Sequence, residues 1–231
     1  MITRTDIASL KIVEPDPKPK DQPTPEEVFQ AQREELRKYI NEYCIARVPA
    51  GSQELPHKDG GFYRWQFYLR AAMLKPDYLG FVGRCFWSLY KSRYDKKPFQ
   101  IAGVEAGATP IIVAIVSMAP AFGVKLNAFT IRKTAKEYGL RNMLEGLPND
   151  APVVLIDDIT SPPVDARGQP AGHATSWHAV NTLLQHRLPL YGSAFAVVFK
   201  GRKDAMRALP TSRGWVRIES IYTVEDFTLV E

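Results

Sequence analysis

Two adjacent carboxylates, Asp157 and Asp158, follow the apolar run PVVLI at 152–156. Like charges this close repel each other, so the pair needs a metal ion, basic groups or hydroxyl donors nearby. An aspartate can also cap a turn in a purely structural role. Paired acids after an apolar strand nevertheless favour a functional site, and this pair is the strongest chemical signal in the sequence.

Two further segments have compositions that suit the binding of an anion. Residues 132–141, RKTAKEYGLR, contain four basic residues and one acidic residue. Residues 103–110, GVEAGATP, are mostly small, and small residues between a strand and a helix let backbone amides approach a phosphate. Each segment also has a structural explanation, a solvated loop for the first and a tight turn for the second. The position after a strand favours anion binding for the basic segment, whereas the small segment alone decides nothing.

Short apolar runs that alternate with helical stretches predict the elements that position these residues. The predicted strands are 99–104, 126–131, 152–156 and 193–199, with helices at 108–119 and 174–187. Buried strands separated by helices are typical of a doubly wound parallel α/β sheet. Such sheets bind ligands beyond the carboxyl ends of their strands, which is where all three segments lie.

The N-terminal part of the sequence predicts a different organisation. EPDPKPKDQPTP at 14–25 is typical of an extended tether, and Thr24 is placed to cap a helix over 26–45. An aromatic, β-prone segment at 62–70 and a second helix at 76–93 follow. We therefore divide the chain into a tether at 1–25, an N-terminal α+β region at 26–97 and an α/β core at 98–231 with a C-terminal strand.

The amino-acid composition limits the classes of protein to which the chain can belong. The chain has 231 residues, 45% of them hydrophobic and 24% charged, with a formal charge of +5, so a disordered, fibrous or membrane protein is disfavoured. No apolar run reaches the ~20 residues that a bilayer requires, and the first residues lack the apolar core of a signal peptide, so a cytoplasmic location is expected. Cys44 and Cys85 lack metal-ligand spacing and are predicted to be buried reduced thiols. The four histidines also lack such spacing and are predicted to lie at the surface.

The same segments resemble a known family. VVLIDDITS at 153–161 resembles the phosphoribosyl pyrophosphate (PRPP) signature of type I phosphoribosyltransferases, and AGVEAGATPIIVAI at 102–115 resembles their pyrophosphate loop. IRKTAKEYG at 131–139 is similar to the Arg-Lys-x-x-Lys-x-x-Gly stretch of orotate phosphoribosyltransferases, and 62–83 is similar to their N-terminal hood. The four segments follow the family's order. The resemblance implies a Mg²⁺-dependent enzyme of pyrimidine nucleotide synthesis that moves ribose 5-phosphate from PRPP to an orotate-like base and releases pyrophosphate.

The resemblance also implies roles for individual residues. Asp157, Lys133 and Lys136 are the expected catalytic residues, and Asp158 binds the ribose hydroxyls beside Asp157. At the pyrophosphate, the implied binding residues are Glu105, Ala106 and Gly107, with Arg132 in the basic loop. Phe67 and Tyr68 are implied to lie over the base, and Arg202 is implied to bind its carboxylate. The remaining implied substrate-binding residues are Thr160, Ser161, Gly172, Thr175 and Ser176. Mg²⁺ is expected near Glu105, Asp157 and Asp158, mostly through substrate and water. Because the basic loop reaches a neighbouring subunit in this family, a homodimer is expected, with neither a membrane nor a nucleic-acid partner.

The chain departs from the family pattern in the 5′-phosphate loop. Pro162 and Pro163 remove two amide donors where a phosphate nest needs them. Either 162–170 is an insertion, with Gly172, Thr175 and Ser176 completing the cradle, or the cradle is lost. Tyr138 replaces the loop's usual His, and Gly201 replaces the Asp that usually precedes Arg202. The alternative function is a catalytically silent phosphoribosyltransferase-like protein that senses PRPP, a nucleotide or RNA.

Overall fold

The computed structural model describes residues 23–56, 62–134, 142–162, 175–212 and 214–229. The helices are α1 (Pro25–Tyr43), α2 (Arg70–Met73), α3 (Pro76–Lys96), α4 (Ala108–Met118) and α5 (Thr175–Gln185), with 3₁₀ turns at Ala119–Phe122 and Val224–Asp226. The strands are β1 (Ile45–Arg47), β2 (Leu55–Pro56), β3 (Phe62–Tyr63), β4 (Trp65–Phe67), β5 (Gln100–Val104), β6 (Ala128–Ile131), β7 (Leu144–Glu145), β8 (Val153–Thr160), β9 (Leu190–Phe199), β10 (Ala208–Thr211) and β11 (Gly214–Thr223). Residues 1–31 and 32–231 form two compact units.

The first unit contains the start of α1. The Thr24 hydroxyl accepts a hydrogen bond from the Glu27 amide at 3.2 Å, and the Glu27 carboxylate accepts one from the Thr24 amide at 2.7 Å. This reciprocal capping box satisfies amides that the first helical turn leaves unpaired. The predicted cap is confirmed. Most of the predicted tether, residues 1–22, lies outside the described residues.

The core of the second unit is a seven-stranded sheet in the order β10-β11-β9-β8-β5-β6-β7. All neighbours from β11 to β6 pair in parallel, whereas the edge strands β7 and β10 are antiparallel. The predicted doubly wound α/β fold is confirmed. The two edge strands were not predicted, because segments this short show no periodicity of their own.

Strand β8 is longer than its apolar run suggests. Beyond Ile156 it stays paired with β9, where Asp157 lies opposite Ala196 and Thr160 lies opposite Phe199. The first four residues of β8 are buried and the next three are partly exposed. The carboxylate pair is therefore held within a strand, and the prediction that the strand ends at 156 is wrong.

Glycines allow close packing around the sheet. A Cβ atom on Gly83 of α3 would lie 2.6 Å from the Met118 sulfur, so α3 crosses α4 at this residue. A Cβ on Gly103 of β5 would overlap the Ile156 carbonyl and the Ala108 side chain. Glycine at 103 therefore brings β5 against both β8 and the start of α4.

The N-terminal hood packs through aromatic and arginine side chains. Strand β1 pairs with β4, which places Ile45 opposite Phe67. The Phe67 ring lies 5.3 Å from the ring of Phe227, which follows β11. Arg37 in α1 donates a hydrogen bond to the Asp226 carbonyl at 3.0 Å. Residues from both ends of the second unit thus fix the position of β4.

Cys44 and Cys85 are buried and unpaired, as predicted. Burial raises the pKa of both thiols, that of Cys85 to about 12. Neither is suited to act as a thiolate nucleophile. None of the described helices combines the length and apolar character that crossing a bilayer requires.

Candidate active site

The candidate site lies where the sheet reverses its winding. Strands β5 and β8 are neighbours, but the chain leaves β5 toward β6 on one side and continues from β8 toward β9 on the other. Connections that diverge in this way leave a crevice at the carboxyl ends of the two strands. Residues 105–107 follow β5, and Asp157 and Asp158 lie near the end of β8.

A solvent-open cleft with about 870 Å³ of empty space occupies this crevice. One wall consists of Gln66, Phe67, Tyr68, Leu69 and Arg70 from the hood. The facing residues at the strand ends are Val104, Glu105, Ala106, Gly107, Lys133, Asp157, Asp158, Ile159 and Thr175. The cleft brings together nine of the predicted residues, namely Phe67, Tyr68, Glu105, Ala106, Gly107, Lys133, Asp157, Asp158 and Thr175.

Backbone amides and a glycine fix the carboxylate pair. Asp157 Oδ1 accepts a hydrogen bond from the Asp158 amide, and Asp158 Oδ1 accepts one from the Ile159 amide, both at 3.0 Å. A Cβ atom on Gly107 would overlap the Asp158 carboxylate. The loop after β5 can approach the pair this closely only because residue 107 lacks a side chain. The Glu105–Ala106 peptide in this loop is cis.

The environment of Asp157 opposes its ionisation. Burial raises the pKa of its carboxyl well above the usual range, and the neighbouring Asp158 charge raises it further. The amides of Asp158 and Ile159 partly offset these effects. A small, mostly apolar cavity behind the strand includes Asp157 in its lining, so little water reaches that side of the carboxyl.

Arg132 begins the basic loop and is held on several sides. Its guanidinium lies 3.1 Å from the Glu145 carboxylate and 3.8 Å from that of Glu105. His178 in α5 forms a 2.8 Å hydrogen bond through Nε2 to the Arg132 carbonyl. Sequence analysis missed this tie, because an isolated histidine 46 residues away carries no signal for it. The neighbouring Lys133 is exposed and lines the cleft.

Two hydroxyls meet where α5 begins, in the lining of the small cavity behind the strand. Thr160 at the end of β8 and Ser176 in the first turn of α5 are 2.8 Å apart. Thr175 lines the cleft, and the partly buried Ser161 follows β8 directly. Gly172 and residues 163–170 of the predicted insertion lie outside the described residues. The described ends of this segment therefore bring Thr160, Thr175 and Ser176 together.

The two aromatic residues predicted to cover a base differ in their exposure. The Phe67 side chain is only 6% exposed and packs its ring against Trp65 and Phe227. Tyr68 is 55% exposed in the cleft, and the Arg70 guanidinium lies 5.2 Å from the centre of its ring. Of the pair, Tyr68 is the one that is exposed.

Arg202 does not lie among the described lining residues. Arg202 is exposed and forms ion pairs with Asp204 at 3.7 Å and Glu225 at 3.4 Å. Its predicted contact with a base carboxylate stays a prediction. Lys136, in the basic loop, falls outside the described residues.

The carboxylates of the cleft suit Mg²⁺ held mainly by other oxygens. Within the described ranges, no group of three or more Asp, Glu, His or Cys side chains is placed to hold a metal ion by itself. Mg²⁺ is commonly bound by one or two carboxylates together with water and substrate phosphates. Glu105, Asp157 and Asp158 offer oxygens of that kind in one cleft.

Solved structures that match this architecture include phosphoribosyltransferases. The Mycobacterium tuberculosis orotate phosphoribosyltransferase, solved in complex with Fe(III) dicitrate, matches with a TM-score of 0.58 at 21% identity, covering 86% of this chain and 99% of that one. A Corynebacterium diphtheriae phosphoribosyltransferase matches with a TM-score of 0.59 at 20% identity, covering 85% and 98%. The chain has the type I phosphoribosyltransferase fold.

Sequence similarity points to one branch of that fold. The orotate phosphoribosyltransferase of Bradyrhizobium diazoefficiens is 30% identical over 122 residues, which are 51% of this chain. The match spans 64% of that relative's length. No protein-family model matches the chain. The predicted resemblance to orotate phosphoribosyltransferases is confirmed as a similarity of sequence and fold.

Proposed function

We propose that the chain is a Mg²⁺-dependent phosphoribosyltransferase that moves ribose 5-phosphate from PRPP to a pyrimidine base of the orotate type and releases pyrophosphate. The observation that carries this proposal is the position of the Asp157–Asp158 pair. It lies at the switch point of the sheet, in the same cleft as Lys133 and the hood. Such a cleft offers carboxylates to a sugar and a cation to a leaving phosphate.

The proposed reaction makes opposite charge demands at the two ends of the bond that breaks. Positive charge develops on the ribose carbon, while negative charge develops on the departing pyrophosphate. Asp157 and Asp158 bind the ribose hydroxyls, and the partial negative charge of the pair stabilises the sugar as its C–O bond lengthens. Lys133 and the backbone of residues 105–107 bind the pyrophosphate. Cations positioned in advance stabilise such charge without reorganisation of solvent.

Glu105, Asp157 and Asp158 are the residues near which Mg²⁺ binds. When bound, Mg²⁺ neutralises charge on the pyrophosphate oxygens. Arg132 is paired with Glu105 and Glu145 in the described structure. This pairing holds the base of the loop at the pyrophosphate side of the cleft.

The 5′-phosphate binds at the N-terminus of α5. Helix amides favour an anion there, and Thr160, Thr175 and Ser176 add three hydroxyls. The 2.8 Å contact between Thr160 and Ser176 supports this placement, because it brings the two ends of the altered loop together. The interpretation of residues 162–170 as an insertion agrees with it.

Assembly and location belong to the same proposal. The resemblance of 131–139 to the family's basic loop supports a homodimer in which Lys136 reaches the partner subunit's site. We also propose a cytoplasmic location.

Pyrophosphate release from PRPP and Mg²⁺ across a panel of nucleobases tests the function. We expect release with orotate or another pyrimidine, accompanied by an equal amount of nucleotide. Absence of release with every base would contradict the enzyme assignment.

A silent PRPP-binding protein is the second candidate. Pro162, which directly follows Ser161, favours it because proline removes an amide from the expected phosphate nest. Calorimetry with PRPP, run beside the release assay, separates the candidates. Binding without turnover would support the silent protein.

A further inference from the structure

We propose that Arg70 selects the base by binding an acidic substituent on a planar ring that lies against Tyr68. This inference rests on the proposed phosphoribosyl transfer and adds a specificity-determining residue to it. The substrate class is a pyrimidine that carries a carboxylate. In this proposal Arg70, and not Arg202, recognises that group.

The hood segment exposes three side chains next to the cleft. From residue 66 to residue 70, exposure alternates, so Gln66, Tyr68 and Arg70 are exposed whereas Phe67 and Leu69 are buried. Phe67 and Leu69 anchor the segment in the core, at 6% and 0% exposure. All three exposed residues line the cleft.

Within the part of the chain that the structure describes, Arg70 has no ion-pair partner. Its guanidinium lies 5.2 Å from the centre of the Tyr68 ring, and no carboxylate among the described residues pairs with it. A cation on an aromatic face keeps its hydrogen-bond donors available at its edge. Arginine binds a carboxylate through two parallel hydrogen bonds, which gives both charge and orientation.

Arg202 is placed differently. It is exposed outside the lining of the cleft, and its guanidinium already lies between the carboxylates of Asp204 and Glu225. To meet a base, it would have to leave both partners. Arg70 meets a ligand in the cleft without breaking any described ion pair.

The two cations of the described cleft lining, Lys133 and Arg70, lie on different walls. We infer from this that Arg70 is the one that meets the base. Lys133 extends from the end of β6, on the same side as the loop at 105–107 that faces the pyrophosphate. Arg70 belongs to the hood wall, together with Tyr68. Among the hood residues that line the cleft, Arg70 is the one with a positive charge, so it is the cation that we assign to a base on this wall.

Orotate and uracil form a matched pair of ligands, since they differ only in the carboxylate. We expect Arg70→Gln to raise the KM for orotate by about ten- to a hundred-fold, the range expected when a charge-assisted hydrogen bond is lost. The KM for uracil and the dissociation constant for PRPP should stay within about twofold. Arg70→Lys should recover part of the orotate affinity, because it retains the charge but loses the paired donors.

Two further variants complete the test. Arg217→Gln removes an exposed arginine of β11 that does not line the cleft, and it should leave all constants unchanged. Unfolding midpoints check that Arg70→Gln is folded, which its exposure favours. An equal effect on orotate and uracil, a weakened PRPP affinity, or an orotate defect in Arg202→Gln but not in Arg70→Gln would overturn the proposal.

Equilibrium binding separates failure of this inference from failure of the proposed function. Calorimetry measures orotate and uracil binding in the presence of pyrophosphate and Mg²⁺, without any turnover. If the wild-type chain prefers orotate and Arg70→Gln abolishes that preference, the inference holds even for a silent protein. If the wild-type chain binds both bases equally or binds neither, the inference is wrong. Lack of turnover alone contradicts only the enzyme assignment.

Discussion

Asp157 combines a proposed catalytic role with an electrostatic cost to the fold. Its pKa is raised by burial and by the Asp158 charge, so at neutral pH the folded state holds a carboxyl that resists ionisation. A folded-state pKa above the unfolded value means that the folded protein binds the proton more tightly. Stability from this group is complete below about pH 4, the ordinary aspartate pKa, and is lost as the pH rises through the raised value.

Asp157→Asn should therefore stabilise the protein while removing its activity. We expect its unfolding temperature to exceed that of the wild type, by an amount that grows as the pH rises from about 4 to 8, because the amide cannot ionise. Thermal unfolding at several pH values measures this. Asp150→Asn, which changes an exposed carboxylate outside the cleft lining, is the matched control. Parallel pH profiles for the wild type and Asp157→Asn would contradict the assigned environment.

Gly107 provides a second test at the residue scale. A methyl group at this position would overlap the Asp158 carboxylate, so Gly107→Ala must displace either the loop or the acid. We expect kcat/KM for PRPP to fall about tenfold or more, in line with the cost of overpacking. Gly80→Ala is the matched control, because its Cβ would lie 3.6 Å from Arg84 in ordinary contact. A Gly107→Ala protein with unchanged kinetics would show that the close approach is unimportant.

At the scale of elements, β4 and the residues that follow it serve both packing and binding. Adjacent side chains do different work because successive residues of an extended segment point in opposite directions. Phe67 is buried against Trp65 and Phe227, and Tyr68 is exposed in the cleft. The hood can thus present ligand-facing groups while its other face holds it on the core.

Phe67→Ala and Tyr68→Ala should separate these two effects. We expect Phe67→Ala to lower the free energy of unfolding by about 3–5 kcal/mol, the usual cost of removing a buried phenylalanine. Tyr68→Ala should change it by no more than about 0.5 kcal/mol and should instead raise the KM for the base. Urea unfolding and steady-state kinetics give the two quantities. Equal losses of stability would refute the alternation of the two side chains.

The sequence predicted the core elements better than the site's details. Apolar runs located β5, β6, β8 and β9, since buried parallel strands carry continuous hydrophobic segments. It did not predict that Asp157 and Asp158 lie within β8, because that pairing depends on how far β9 extends beside it. Nor did it predict the Glu225 partner of Arg202, which is brought close only by the fold.

At the scale of the whole molecule, the structure accounts for part of the basic excess. Residues 84–97 hold five basic residues and one acidic residue, and this net positive charge suits an additional anionic partner. Arg93 instead pairs with Glu219 at 2.7 Å, Lys91 pairs with Asp95 at 2.5 Å, and Arg84 donates a hydrogen bond to Gln32. Much of this cluster is therefore committed within the fold, and among the described residues Arg70 and Lys133 are the cations that line the cleft.

The most direct test of the central claim is the formation of nucleotide from PRPP, Mg²⁺ and orotate by the wild type, Lys133→Ala and Lys125→Ala. The two lysines follow and precede the same strand, β6, so only Lys133 lies at the cleft end. We expect the wild type to form nucleotide and pyrophosphate in equal amounts. Lys133→Ala should lose about 2–4 kcal/mol of transition-state stabilisation, about thirty- to nine-hundredfold in rate, and Lys125→Ala should match the wild type. A wild-type protein that forms no nucleotide, or a Lys133→Ala protein with full activity, would contradict phosphoribosyl transfer at this cleft.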